Sequence, residues 1–203
     1  MFEIEGFILA GGASSRMGID KAHLRLGGLT LVERAAAALG AVAGKISVVS
    51  SKRDAGVWGL PVVPDVHAGR GALGGLHAAL LDSRAPWAAV VSCDLPFVTG
   101  ELFVKLSSFL SDDLDAVAPL QADGRIQPLC AIYAPARCLA VAEDFLRSGE
   151  LRPRELLRRV RARLVAFEEL SGLPGASRFF SNVNTPEDYA LALNDAENFN
   201  PAD

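Results

Sequence analysis

Ile4-Glu5-Gly6-Phe7-Ile8-Leu9-Ala10-Gly11-Gly12-Ala13-Ser14-Ser15-Arg16-Met17-Gly18-Ile19-Asp20-Lys21 is the stretch on which the fold turns. Ile4–Ala10 is a β-rich run of buried-strand length, and it runs straight into two glycines. Small residues let a backbone approach a ligand closely, and successive exposed N–H groups form an anion-binding concavity. Arg16 and Lys21 then place two fixed positive charges in one loop. That combination suits a triphosphate, whose charge must be neutralised before another anion can approach. No Gly-Lys-Ser/Thr follows the glycines, so the spacing is not a Walker A loop. The plainer alternative is a glycine-rich strand-to-helix turn with two solvated cations.

Outward from this stretch, β-rich runs alternate with amphipathic ones. Ile46–Ser50, Trp87–Ser92 and Asp115–Pro119 read as further strands, and Leu31–Leu39, Leu73–Leu81, Glu101–Leu110 and Ala136–Leu146 as helices. Thr30-x-x-Glu33 is a capping box that marks the first helix start. Leu129–Tyr133 and Leu164–Phe167 are additional strand candidates, with a helix over Glu155–Arg161 between them. The alternation predicts an α/β, Rossmann-like, mostly parallel sheet with helices on both faces. Without a linker, repeat or low-complexity tract, residues 1–203 read as one domain with a core over about 4–195. Ligands of such sheets bind beyond the carboxyl ends of the strands, here after Ala10, Pro64 and Ser92.

Composition narrows the function classes. The 203 residues carry 20 basic and 24 acidic side chains, and a net charge of −4 argues against a generally basic nucleic-acid binder. The longest stretch without a charged or strongly polar group, Ala35–Gly44, has ten residues, whereas a membrane helix needs about 20. Met1-Phe2-Glu3-Ile4-Glu5 has acids where a secretory signal has its basic region, so a cytoplasmic location is expected. Cys93, Cys130 and Cys138 are an odd set without C-x-x-C spacing, expected as buried thiols.

Gly69-Arg70-Gly71-Ala72-Leu73-Gly74 matches the dinucleotide fingerprint G-x-G-x-x-G, and Asp94 lies 20 residues beyond Gly74. The context fails, because Pro61 and Pro64 break the preceding β-like segment and further residues intervene before Gly69. The segment reads instead as a loop from Pro64 to Gly71 leading into a helix near Leu73. A carboxylate such as Asp65 in that loop is suited to accept from N–H groups of a ligand, or else to cap the helix. At the end of the Trp87–Ser92 strand, Cys93-Asp94-Leu95-Pro96 offers a carboxylate in a stiffened turn. Magnesium takes oxygen ligands, often one or two carboxylates plus substrate phosphates, which makes Asp94 the candidate ligand; an ordinary turn aspartate is the alternative. His23, His67 and His77 lack metal-binding spacing.

With these residues in view, Leu9-Ala10-Gly11-Gly12-x-Ser14-x-Arg16-Met17-Gly18-x-Asp20-Lys21 resembles the signature loop of the molybdenum cofactor guanylyltransferases, the MobA family. Nucleotide-sugar pyrophosphorylases and methylerythritol-phosphate cytidylyltransferases carry related loops with a longer spacing to the lysine. The resemblance runs from Gly6 to Tyr189 through four ordered motifs. It implies the nucleotide-diphospho-sugar transferase type of fold. Leu9, Ala10, Gly11, Gly12, Lys21, Asp65 and Asp94 match its nucleotide-binding positions, with Asp94 also its metal ligand. Ala72 replaces the proline of the family's Gly-Pro-Leu-x-Gly segment. Arg125, Gln127 and Pro128 match a segment on the pterin-phosphate side, although Gln127 is equally an ordinary strand flank. Asn182-Val183-Asn184-Thr185-Pro186-Glu187 matches the family's closing motif. Thr185 and Pro186 are explained as a helix start, whereas Asn182 and Asn184 are left as substrate-side hydrogen-bonding groups.

The implied reaction joins GMP from GTP to the terminal phosphate of molybdenum-molybdopterin, with magnesium as cofactor and Arg16, Lys21 and Asp94 as the charged machinery. Transient contact with molybdenum-cofactor insertion proteins or apo-enzymes follows from the same family. Two alternatives stay open: a CTP-dependent cytidylyltransferase on the same pterin, to which Ser50 in place of an asparagine lends some weight, and a non-catalytic nucleotide-binding module that delivers cofactor. Seven arginines between Arg147 and Arg163 read as a solvated helix face or as an attractor for an anionic partner.

Overall fold

The computed structural model describes residues 2–10, 21–51, 59–67 and 69–197. Among them a central sheet of seven strands runs in the order β5-β4-β1-β6-β8-β7-β9. The strands are β1 (Ile4–Leu9), β4 (Lys45–Ser50), β5 (Val62–Pro64), β6 (Trp87–Ser92), β7 (Ala116–Pro119), β8 (Cys130–Tyr133) and β9 (Ala162–Val165). Pairing is parallel at β1–β4, β1–β6, β4–β5 and β7–β9. β8 alone runs backwards, antiparallel to both β6 and β7. A separate two-stranded ribbon, β2 (Arg25–Leu26) with β3 (Leu29–Thr30), turns on Gly27 and Gly28. Both glycines have positive φ (59° and 83°), as a tight two-residue hairpin turn requires.

Period-two alternation explains the two-sided burial. Along β6, Ala89 and Val91 face a layer with Val32, Ala35 and Leu39 of α1 (Leu31–Leu39) and Leu102, Phe103 and Leu106 of α3 (Gly100–Ser107). Ala88 and Val90 face the opposite layer, with Leu73, Leu76 and Leu80 of α2 (Gly71–Asp82), Cys138, Ala142 and Leu146 of α4 (Pro135–Ser148), and Leu156 and Leu157 of α5 (Pro153–Arg159). Strands buried on both faces read as near-continuous apolar runs, which is why the sequence shows them so plainly. A smaller cluster of Leu24, Leu26, Leu31, Phe97, Val183 and Ala192 seats the ribbon against α6 (Pro186–Glu197). All three cysteines are buried free thiols. No helix among the described residues is long and apolar enough to cross a membrane.

The predicted α/β architecture with helices on both faces stands, and the Thr30–Glu33 capping box forms with both of its hydrogen bonds. Several boundaries differ. The segment weakened by Pro61 and Pro64 does form a strand, the three-residue β5, because at a sheet edge the missing N–H of a proline is tolerated. α5 begins earlier than expected, at Pro153, a residue preorganised for the first helical position. Correspondingly β9 ends at Val165, and Phe167 enters a short 3-10 turn. Of the seven arginines in the basic run, six form ion pairs with Asp144, Glu150, Glu155, Asp115 or Glu169. Most of that run is therefore a self-neutralised surface.

Candidate active site

The carboxyl ends of β1, β4, β5 and β6 meet at one edge of the sheet. Cys93 donates its N–H to the Leu9 carbonyl (3.1 Å), Ala10 to Val49 (3.0 Å) and Asp65 to Ser50 (3.2 Å). A cleft there is lined by Leu9, Val49, Asp65, Ser92, Leu129 and the first turns of α2. Gly69 and Gly71 have φ of 87° and 62°, so these glycines of the G-x-G-like pattern serve a turn into α2. Gly74 has a different reason. A Cβ there would lie 2.9 Å from the His67 carbonyl oxygen and 3.2 Å from Asp65 Oδ1, so its bare backbone lets the 65–67 loop lie close over the helix.

Asp65 is half-buried in this cleft, and its Oδ1 accepts the His67 N–H at 2.9 Å. The helix-cap alternative is not what the structure has: residue 70 is the N-cap, and Asp65 instead braces its own loop. Behind it the His67 and His77 rings meet edge to face, with centroids 4.7 Å apart. His77 is 4% exposed, and burial holds its imidazole below the usual histidine range. Its Nδ1 is buried without a hydrogen-bond partner among the described residues.

Asp94 follows β6 in a half-buried turn. Its carbonyl accepts the Val183 N–H at 2.9 Å. The next turn is held by Arg34 of α1, whose Nε donates to the Pro96 carbonyl (2.8 Å) and whose Nη1 donates to the Leu26 carbonyl (3.2 Å). The Asp94 backbone is thus fixed from two sides, whereas its carboxylate makes no hydrogen bond or ion pair among the described residues. No group of three or more His, Cys, Asp and Glu side chains placed to hold a metal occurs among those residues. One accessible carboxylate fits magnesium better than zinc or calcium, because magnesium completes its octahedron with phosphate oxygens and water.

Lys21 opens a 3-10 turn just before the ribbon, and its Nζ donates to Asn184 Oδ1 at 2.9 Å across 163 positions of sequence. Asn184 belongs to the segment that passes Asp94 and leads into α6. Thr185 caps that helix as expected: its Oγ1 accepts the Asp188 N–H at 3.1 Å, and Asp188 Oδ2 accepts the amides of Asn184 and Thr185, both at 2.9 Å. Those two amides, with a smaller contribution from the Lys21 charge, hold the Asp188 carboxyl below its ordinary range. Asn182 is exposed. The Tyr189 hydroxyl donates to the Arg25 carbonyl at 2.6 Å and ties α6 to the ribbon.

The reversal of β8 brings the remaining expected residues to this edge. Because β8 runs against β6, its amino end lies at the carboxyl end of β6, and Ser92 donates its N–H to Leu129 at 2.8 Å. Gln127 is buried there with its N–H on the Pro119 carbonyl, and the Pro128 carbonyl accepts from the Tyr133 hydroxyl at 2.6 Å. Arg125 is exposed in the preceding turn, its Nε on Asp123 at 2.6 Å. Gly11, Gly12 and Arg16 lie outside the described residues. Sequence reasoning did not find Arg34 or the Lys21–Asn184 bond. The only signal for Arg34 was a cation next to Glu33 in a short helix stretch whose other residues are apolar.

The family model for the MobA-like NTP transferase domain matches residues 6–165. A protein of Pelotomaculum thermopropionicum, "Probable molybdenum cofactor guanylyltransferase", is 36% identical over 199 residues, covering 98% of this chain and 96% of that one. The molybdenum cofactor guanylyltransferase of Desulfosudis oleivorans is 30% identical, covering 95% of each chain. Among solved structures, molybdopterin-guanine dinucleotide biosynthesis protein A from Archaeoglobus fulgidus shares the fold with a TM-score of 0.80 at 24% identity, covering 96% of this chain and all of that one. A 2-C-methyl-D-erythritol 4-phosphate cytidylyltransferase from Thermus thermophilus shares it at 0.67 and 18% identity, covering 94% of this chain and 98% of that one. On the matched domain and the near full-length likeness to its relatives, the chain belongs to the molybdenum cofactor guanylyltransferases, nucleotidyltransferases built on the MobA-like NTP transferase domain.

Proposed function

We propose that this chain transfers GMP from GTP to the terminal phosphate of molybdenum-molybdopterin, forming the guanine dinucleotide and releasing pyrophosphate. The observation that carries the reading is the meeting of Lys21 and Asp94 at the carboxyl edge of the sheet. Both are tied to one segment, Lys21 through the Asn184 side chain and Asp94 through the Val183 amide. An oxygen of the pterin monoester attacks the α-phosphorus of GTP, and the bond from that phosphorus to the α–β bridging oxygen breaks. A phosphate monoester has a second pKa of about 6, so the nucleophile is mostly dianionic at neutral pH and needs no general base. The barrier is the meeting of two anions and the charge growing on pyrophosphate, which makes catalysis a matter of positioning and electrostatics.

Lys21 shields the leaving phosphates, and Gly11, Gly12 and Arg16 complete that cradle on the strength of the sequence. Asp94 would hold magnesium, which when bound supplies charge neutralisation at the phosphates. Leu9 and Ala10 line the nucleotide, and Asp65 reads guanine through its carboxylate. Gln127, Pro128, Asn182 and Arg125 form the acceptor side. The relatives named guanylyltransferases support guanine over cytosine. The chain works in the cytoplasm and hands its product to insertion proteins or apo-enzymes by transient contact; it uses neither nucleic acid nor membrane. Titration of the purified protein with GTP, CTP and ATP in the presence of magnesium tests the reading. GTP binds in preference to both, and pyrophosphate is released only when molybdopterin is added. Preference for CTP would replace the base assignment, and tight binding without turnover would favour a carrier.

A further inference from the structure

We infer that Asn184 is a positioning residue for Lys21, rather than a ligand of the pterin, and that it sets the spacing between the cation and the magnesium-side carboxylate. This inference rests on the nucleotidyltransfer reading above and deepens it. Lysine is a compact charge on a flexible four-carbon stem, so an unsupported Nζ spreads over many rotamers and points at phosphate only part of the time. Asn184 Oδ1 accepts one of its three N–H donors at 2.9 Å. The bond is made by a neutral amide, which orients the ammonium while leaving its charge and two donors for phosphate. A carboxylate at the same place would orient it equally well and cancel the charge.

The anchoring of Asn184 is itself built. Its own N–H is held by Asp188 Oδ2, and its neighbour Val183 is 1% exposed with its N–H on the Asp94 carbonyl. Adjacent residues of one segment therefore hold the lysine on one side and the aspartate turn on the other. The Asp188 carboxylate is committed to the backbone amides of Asn184 and Thr185. Asn182, by contrast, is exposed and has no bond to Lys21. The two asparagines, alike in sequence, are unlike in what they touch.

The test is a binding cycle run without pterin, followed by steady-state assays with molybdopterin on Asn184→Ala and Asn182→Ala. Affinity for magnesium-GTP is measured by titration for wild type, Asn184→Ala, Asn184→Asp, Lys21→Ala and the double variant Lys21→Ala/Asn184→Ala. Loss of a hydrogen bond to a charged group predicts that Asn184→Ala weakens GTP binding about tenfold. Asn184→Asp weakens it at least as much, because it keeps the geometry and cancels the charge. The double variant binds no worse than Lys21→Ala alone, and Asn182→Ala binds GTP like wild type while raising KM for molybdopterin. Wild-type GTP affinity in Asn184→Ala with a raised pterin KM would overturn the inference in favour of a pterin ligand. Losses that add in the double variant, with a lowered melting temperature, would overturn it in favour of a purely structural role. If wild type prefers CTP, the guanine reading fails and the same cycle on CTP decides Asn184 by the same criteria. If wild type binds no triphosphate, the reading beneath the inference is itself overturned.

Discussion

The two ends of the sheet treat a buried or half-buried aspartate in opposite ways. At the amino end, Asp115 lies just before β7, 8% exposed, and every lone pair is put to use. It accepts the Arg161 N–H at 2.9 Å, Arg161 Nη2 at 3.0 Å, Arg137 Nη1 at 3.2 Å and Arg161 Nε at 3.3 Å. Arg137 also ties the carbonyls of Asp112 and Leu114, each at 2.8 Å. The Arg161 guanidinium, more than any other partner, holds the Asp115 carboxyl at about 2. At the carboxyl end, Asp94 has its backbone clamped while its carboxylate is left without a partner among the described residues. The nearby cation, Lys21, is held by an amide instead of an acid. Charge that is satisfied inside the protein serves the fold, and charge that is positioned but unsatisfied is held for a ligand.

That contrast makes its strongest statement about Asp94. Asp94→Ala is expected to lower magnesium-dependent pyrophosphate release by roughly 10³-fold, the scale of losing a principal electrostatic group, with an unchanged melting temperature. Normal turnover would break the comparison at its functional end. Asp115→Ala should do the reverse. It leaves two guanidinium groups short of their acceptor and is expected to cost roughly 2–4 kcal/mol in urea unfolding, discounted for the exposed arginine ends, while activity per folded molecule is kept. A loss of activity without a loss of stability would erase the distinction between the two ends.

The smallest effect is the pH dependence of that same carboxylate. An unfolded aspartate takes up its proton near about 4, whereas folded Asp115 resists until about 2. Between those values the unfolded chain binds more protons, so the contribution of Asp115 is complete above about 4 and is lost as pH falls toward 2. Melting temperature against pH should be flatter over this window in Asp115→Ala than in wild type. Parallel curves would assign acid unfolding to other carboxylates.

The central strands were legible because burial on both faces writes an apolar run, and α1 because its capping box is local. Asp65 and Asp94 were legible as loop carboxylates following strand-like runs. The direction of β8 was not, since four buried residues carry no mark of polarity and read alike in either sense. With direction unknown, Gln127 and Pro128 became candidates only through the family likeness, and the structure puts them at the carboxyl edge of β6. The Lys21–Asn184 bond spans nearly the whole chain, beyond any periodicity. Arg34 was hidden for a related reason: its partners are backbone carbonyls, which every residue possesses and no sequence displays.

The lone backward strand also draws a border across the active edge. On one side, β5, β4, β1 and β6 contribute their carboxyl ends and the loops that follow them; on the other, β8 contributes its amino end and the hairpin turn before it. The two halves are joined in the sheet by a single ladder, β6 with β8, extended by the Ser92–Leu129 bond. A lengthened or rewritten turn between Leu120 and Leu129 would thus remodel one bank of the cleft while the parallel strands opposite kept their register. On the proposed reaction, that border separates the residues that activate the nucleotide from those that meet its acceptor.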